Sequence, residues 1–278
     1  VTRLLTGTAA PPYDDGTRWV GWSPTAPIAP DALEGADAVV HLAGDNVASG
    51  RWSAAKKRQI LESRTVPTRA VARSLAALPA ARRPKVLVSA SAVGFYGTRG
   101  DAELTEDSPA GTGYFPDVSK AWEDACAPAR DAGIRVVNLR LGVVLTPKGG
   151  ALGKQLFAFK AGGGATLGSG TQWTPWVTIG DVVGAIHHAL MTDALSGPVN
   201  AVGPNPVTNR TFTKALGRVL SRPALLWLPR PALLAMFGEL ADAALLASTR
   251  AKPAKLLATG FAFDHPDLEP ALRFLLGR

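Results

Sequence analysis

Lys85-Val86-Leu87-Val88-Ser89-Ala90-Ser91-Ala92-Val93-Gly94-Phe95-Tyr96-Gly97 runs from a continuous apolar stretch into small and hydroxylated residues. A strand covered by helices on both faces reads this way, because neither face meets water until the strand ends. Working outward, Ala38-Val39-Val40-His41-Leu42-Ala43 repeats the pattern upstream and stops at Gly44. Downstream, Ile134-Arg135-Val136-Val137-Asn138-Leu139-Arg140 repeats it again. Between these runs the pattern turns helical. Ser53 stands as the N-cap of a helix reaching about Arg64, and a second helix is expected after Pro67. Another is expected over residues 117–131, closed by Gly133 in a left-handed conformation. Strands alternating with helices through short connections specify an α/β fold with a doubly wound, Rossmann-type parallel sheet.

Beyond about Gly149 the texture changes. Helices are expected over 151–160, 181–191, 209–220 and 268–276, with Asp181 as a cap and a short strand around Val199. The richest apolar stretch, 233–246, is interrupted by Glu239 and Asp242 and reads as one packed amphipathic helix.

Composition excludes several classes. With 46% apolar and 19% charged residues, the 278-residue chain has ample material for a buried core. Cys126 stands alone, which removes any intrachain disulfide framework and suits a reducing, cytoplasmic setting. The four histidines show no metal-ligand spacing, so no metal site is expected. The net charge of +8 comes from scattered arginines and short clusters, without a nucleic-acid-binding motif; a solvated basic surface is the simpler reading. No signal peptide opens the chain and no apolar run has the length of a membrane span, so neither nucleic acid nor membrane is expected as a partner.

In an open α/β sheet, ligands bind beyond the carboxyl ends of the strands. Two such ends stand out, His41-Leu42-Ala43-Gly44-Asp45-Asn46 and Ser89 to Gly97. With Gly50-Arg51-Trp52-Ser53, Leu104-Thr105-Glu106-Asp107, Trp122-Glu123 and Leu139-Arg140-Leu141-Gly142-Val143-Val144-Leu145, they resemble the extended short-chain dehydrogenase/reductases. More narrowly, the chain resembles an atypical branch called NAD-dependent epimerases, which end in a small helical domain of unknown function. Gly168-Ser169-Gly170-Thr171-Gln172-Trp173, Asn200-Ala201, Pro204-Asn205-Pro206-Val207, Gly260-Phe261 and His265-Pro266-Asp267-Leu268 extend the likeness over nearly the whole chain.

The resemblance implies a domain over 1–150 that binds NAD or NADP through Leu42, Ala43, Gly44, Ala90, Ser91, Lys120 and Arg140. Substrate-lobe segments over 151–222 are interleaved with it, and 223–278 form a small, mostly helical C-terminal domain. Ser91 falls at the family's catalytic serine and Lys120 at the lysine of its Tyr-x-x-x-Lys motif. The tyrosine position is Pro116, which has no proton to transfer, so Tyr114 or Tyr96 would have to replace it. Asn46, Arg51, Trp52, Gln172, Trp173 and Trp176 are expected to line a site for a small substrate that could carry a nucleotide. The implied activity is that of an oxidoreductase or an epimerase-like enzyme. The alternative is a cofactor-binding or interaction protein that keeps the fold without turnover. A homodimer is compatible with the resemblance.

A dinucleotide fold also needs a strand, a glycine-rich turn and a helix whose N–H groups hold the pyrophosphate. Thr6-Gly7-Thr8 is followed by Ala9-Ala10-Pro11-Pro12, which does not lead into such a helix. Residues 1–5 instead resemble the family's second strand, Arg18-Trp19-Val20 its third and 39–43 its fourth. One strand, loop and helix, on the order of 20–30 residues, are therefore expected upstream of Val1. Without that clamp the expectation for residues 1–278 by themselves is impaired cofactor binding. Arginines that would grip a 2′-phosphate are missing at Thr6-Gly7, which leaves NADP over NAD unsupported.

Overall fold

The computed structural model describes residues 1–5 and 16–278. The decoy motif Thr6-Gly7-Thr8 and the residues that follow it to Pro12 lie outside the described residues. Four parallel strands form the central sheet: β3 (Ala38–His41), β4 (Val86–Ala92), β5 (Arg135–Leu141) and β6 (Gly197–Ala201), in the order β6-β5-β4-β3. Two further strands, β1 (Thr2–Leu5) and β2 (Arg18–Gly21), pair in parallel as a separate ladder. Leu4 of β1, Val20 of β2 and Val39 of β3 nevertheless pack against one apolar cluster with Leu87 and Val136. The two ladders thus belong to one layer.

Helix α1 (Ala54–Ala76) covers one face of this layer, burying Val71, Ala72 and Leu75 against it. Its start is the Ser53 cap, whose hydroxyl accepts from Lys56 N. The expected division at Pro67 is absent; one 23-residue helix runs through the proline. Proline in a helix costs roughly 3 kcal/mol. Burial of Pro67 and of the apolar residues after it offsets that cost. The reverse correction applies to 117–131, which is two helices, α2 (Tyr114–Asp124) and α3 (Ala127–Asp131). Pro128 cannot donate to the turn before it, and the chain re-enters helix there. Gly133 takes the expected left-handed conformation at φ +82°.

The second half of the chain, the lobe, follows through α4 (Gly150–Lys160), α5 (Ile179–Met191) and α6 (Asn209–Leu220). Asp181 does not cap α5. Thr178 does, accepting from Asp181 N, while the buried Asp181 carboxylate accepts from the Thr178 hydroxyl and from Asp264 N. The stretch 233–246 is also not one helix. Helix α7 (Arg230–Phe237) stops at Gly238, at φ +60°, and a π-helical turn Ala241–Leu245 follows. Helices α8 (Ala254–Ala258) and α9 (Leu268–Leu276) close the chain. Leu256 of α8 packs under the central sheet, and Leu268 and Leu272 of α9 join the core of α4 and α6. Residues 223–278 therefore share their apolar cores with the rest of the chain.

Gly142 marks the junction of sheet and lobe. A Cβ there would stand 2.2 Å from the Pro175 carbonyl oxygen and 2.9 Å from Val202 Cγ1. Gly142→Ala is expected to lower unfolding free energy by about 1–3 kcal/mol, because backbone must move to admit the methyl group. Gly21→Ala, on an exposed residue with nothing within 4 Å, is the control and should stay within about 0.5 kcal/mol in urea unfolding.

Candidate functional site

Register fixes what the strand ends present. In the parallel ladder His41, Ser89 and Asn138 are neighbours, and two residues later so are Ser91, Arg140 and Asn200. Both rows share the face of Val39, Leu87 and Val136, since alternate residues of a strand point the same way. Polar side chains therefore enter a buried layer, and their partners decide whether the layer is stable.

Arg140, 3% exposed, is held by Glu123 of α2 in a two-point pair, Nε to Oε1 at 2.8 Å and Nη2 to Oε2 at 2.9 Å. Its Nη1 donates to the Tyr96 hydroxyl at 3.0 Å, which in turn donates to Asn200 Oδ1 at 2.7 Å. The Ser91 hydroxyl donates to Glu123 Oε1 at 2.7 Å. Phe95 closes the group from above, its ring centroid 3.4 Å from the guanidinium carbon. Glu123, which the sequence reading quoted without a role, supplies the counter-charge. An arginine inside an apolar strand was the signal that such a partner had to exist.

Ser91, Arg140 and Ala90 are accordingly buried beneath the strand ends, with Ser91 and Arg140 bonded to protein. Strand alternation turns the Ser91 side chain inward, where Glu123 accepts its hydroxyl. Tyr96 is likewise fully buried and committed to Asn200 and Arg140. Leu42, Ala43 and Gly44 do lie open at the end of β3, with Leu42 53% exposed. The loop after them is tied down by an Asp45–Lys56 ion pair and by Arg64, whose Nη2 donates to the Asp45 carbonyl at 2.9 Å. Asn46 is used in that loop, accepting from Ala48 N.

A cleft of 380 Å³ adjoins the end of β4. Gly94 and Gly97, which follow the strand, line it together with Trp52, Tyr114, Phe115 and Pro116. Trp52 meets Tyr114 and Phe115 edge-on, at 5.0 and 5.1 Å between ring centroids, so one wall is aromatic. The facing wall carries Glu239 and Asp242 from the end of the chain, two residues the sequence reading noted only as interruptions of an apolar run. Asp242 is held by Arg230, and Glu239 pairs with Lys57 of α1. Tyr114 is the first residue of α2, and its hydroxyl donates to the Lys57 carbonyl at 2.6 Å. Burial raises its pKa above the ordinary phenol value, opposed by the nearby Arg64 charge.

The remaining expected residues divide. Lys120 sits exposed on α2, paired with Asp117 across one turn, and does not line the cleft. Arg51 approaches Gly238 at the mouth of the aromatic wall. Trp176 is fully buried in the lobe core and cannot touch a ligand, because its indole donates to the Asn205 carbonyl inside the fold. Gln172 is also buried, its amide donating to the Leu167 and Leu245 carbonyls, and Trp173 donates to Asp101 and stacks under Arg250. Gln172 and Trp173 thereby contact Leu245 and Arg250 of the later part of the chain, whereas Trp176 ties to Asn205.

Residues 29–203 match the model of the NAD dependent epimerase/dehydratase family, and residues 228–275 match a domain of unknown function, DUF1731. The chain is 43% identical over 258 residues to the epimerase family protein Mb2239 of Mycobacterium bovis, covering 92% of this chain and 84% of that protein. It is 36% identical over 249 residues to the human epimerase family protein SDR39U1, covering 88% and 84%. The crystal structure of human SDR39U1 (isoform 2) with NADPH is similar at a TM-score of 0.88 and 31% identity, over 99% of this chain and 90% of that one. A nucleoside-diphosphate sugar epimerase from Corynebacterium glutamicum is similar at a TM-score of 0.74 and 35% identity, over 94% of this chain and 53% of that one.

Two predictions follow from the buried polar rows. Glu123→Gln or Arg140→Met alone should cost about 3–5 kcal/mol in urea unfolding, because each leaves the other charge buried without its partner. The double variant Glu123→Leu with Arg140→Met should recover much of that loss. His41, buried with no partner for Nε2, has its pKa pushed down to about 4 by burial. The folded state therefore resists a proton that the unfolded chain takes up near pH 6.5. Stability is full above pH 6.5 and should fall by about 3 kcal/mol as pH drops to 4. His41→Leu should remove that part of the acid limb; an unchanged pH profile would assign it elsewhere.

Proposed function

The chain belongs to the NAD-dependent epimerase/dehydratase family, and on that premise we propose that it binds a nicotinamide dinucleotide across the carboxyl ends of β3 and β4. The proposed substrate is a small polyhydroxylated molecule of the sugar-nucleotide type, held in the cleft beyond β4. The observation that carries this reading is continuity: Gly94 and Gly97, directly after β4, are also cleft wall. A group lying on the strand ends would reach the substrate without crossing a side chain there.

The fit at the cofactor end rests on Leu42, Ala43 and Gly44, which are exposed where a ligand of an open α/β sheet lies. A Cβ on Gly44 would meet the Arg64 side chain at 3.4 Å, so larger residues would disturb this surface. When bound, the nicotinamide supplies a hydride donor or acceptor. The chain's own contribution is positional. Ser91, Arg140 and Glu123 hold the floor beneath the strand ends, and Lys120, exposed on α2, would exchange its Asp117 partner for a ribose hydroxyl. Trp52, Tyr114 and Phe115 offer apolar faces to a sugar ring, while Glu239 and Asp242 accept from its hydroxyls. The similarity to human SDR39U1 solved with NADPH, and to a protein described as a nucleoside-diphosphate sugar epimerase, supports the two ligand classes.

Pro116 favours a second reading. It occupies the tyrosine position and lines the cleft, and the Tyr114 phenol is already bonded to Lys57. A protein that binds the cofactor and a ligand without turnover would show this pattern.

Titration with NADPH and with NADH, followed by nicotinamide fluorescence, tests the shared premise. Weak but saturable binding of at least one is expected, in line with the impaired binding that the sequence implies, and Gly44→Val should weaken it about tenfold further. Binding of neither would overturn both readings. Turnover with a panel of nucleotide sugars, falling about tenfold in kcat/KM in Trp52→Ala, supports the enzyme; binding without any turnover supports the second reading.

A further inference from the structure

The lobe carries a feature that neither the cleft nor the strand ends use. The short strand Leu226–Leu228 pairs in parallel with Ala165–Leu167 at the edge of the lobe. Leu225 is 87% exposed, Leu226 55% and Trp227 64%. Successive strand residues point to opposite faces, so exposure of both Leu226 and Trp227 means that solvent reaches both sides. The element protrudes. Ala224, just before it, packs with Phe159 on the inner side of α4, whose outward Phe157 is 82% exposed.

Basic residues predominate beside this apolar ridge, although Glu269 and Asp242 neutralise Arg218 and Arg230. Residues 194–238 contain Arg210, Lys214, Arg218, Arg222 and Arg230 and no aspartate or glutamate. Lys214, Arg218, Ser221 and Arg222 line a shallow groove of 410 Å³ that ends on Leu225. Arg218 is paired with Glu269, whereas Lys214 and Arg222 form no ion pair among the described residues, and Lys160 stands exposed at the end of α4.

We propose that this ridge is a peripheral docking surface for an anionic phospholipid bilayer. The groove cations would meet headgroup phosphates, while Leu225, Leu226 and Trp227 enter the interfacial region. A convex apolar ridge with basic flanks suits insertion into a fluid interface better than reception of a peptide, which needs a groove lined by apolar side chains. Basic residues on both sides also disfavour self-association through the same face, since two copies would juxtapose like charges. The expectation of no membrane partner rested on the lack of a span, and no helix among the described residues is long and apolar enough to cross a membrane. A surface contact needs no span.

The test is co-sedimentation of the whole protein with vesicles of phosphatidylcholine alone or mixed with phosphatidylglycerol, with light scattering for oligomeric state. Binding to the mixed vesicles and not to phosphatidylcholine is expected, with Trp fluorescence quenched by brominated acyl chains. Lys214→Glu with Arg222→Glu should weaken partition more than about tenfold. Leu225→Asp should abolish the quenching while leaving the melting temperature unchanged. Equal binding to both vesicles, no binding, or binding untouched by these variants overturns the proposal. A dimer that Leu225→Asp dissociates would assign the ridge to a second copy instead, and displacement of anionic vesicles by duplex DNA with equal loss in both charge variants and Leu225→Asp retained would assign the charge to nucleic acid.

Discussion

The buried pair between Arg140 and Glu123 joins the centre of the sheet to α2, and the cleft depends on that joint. Removing two charges from water is costly, and attraction between them repays the cost only where geometry is good and every remaining donor is satisfied. Here the geometry is a two-point pair, and each guanidinium nitrogen has a partner. Glu123 takes two bonds from the guanidinium and one from Ser91, and Tyr96 passes the third guanidinium bond on to Asn200. Four strands and helices are thereby referenced to a single carboxylate. The start of α2, with Tyr114 and Phe115, and the turn after β4, with Gly94 and Gly97, inherit fixed positions from it.

Much of the fold was legible because its signals are local. Strands buried on both faces read as apolar runs, and α6 and α9 lie over the residues their periodicity and end signals indicated, 209–220 and 268–276. The failures were places where distant packing overruled a local rule. Pro67 continues a helix because the residues beyond it are buried against the sheet, and Gly238 interrupts 233–246 at a positive φ that periodicity does not register. Thr178 outranked Asp181 as a cap because the carboxylate had a better use, bridging to Asp264.

The site was legible by residue type more than by direction. Leu42, Ala43 and Gly44 lie exposed, as strand ends in this class of sheet open to solvent. Ser91 lies at such an end too, but the two-residue period of the strand turns it to the side of Ser89 and Arg140, and only the counter-ion on α2 decides that it stays there. The acidic wall was visible as Glu239 and Asp242 in an apolar run, yet nothing local said which surface they would face. That was set by how the last part of the chain is seated.

The later part of the chain is seated by several residues that the sequence placed near a substrate. Gln172 donates to the Leu245 carbonyl, Ser248 bonds Gly100 and Trp173, and Thr249 bonds Gly97, so the segment carrying the acidic wall is anchored to the turn after β4. The aromatic wall is anchored separately, through α2 to the Arg140–Glu123 pair. The Lys57–Glu239 ion pair then crosses between the two walls. The spacing of the cleft is therefore set from both sides by bonds outside it, and a change at buried Gln172 would alter what the cleft accepts by moving Glu239 and Asp242 relative to Trp52, with no contact between Gln172 and a ligand.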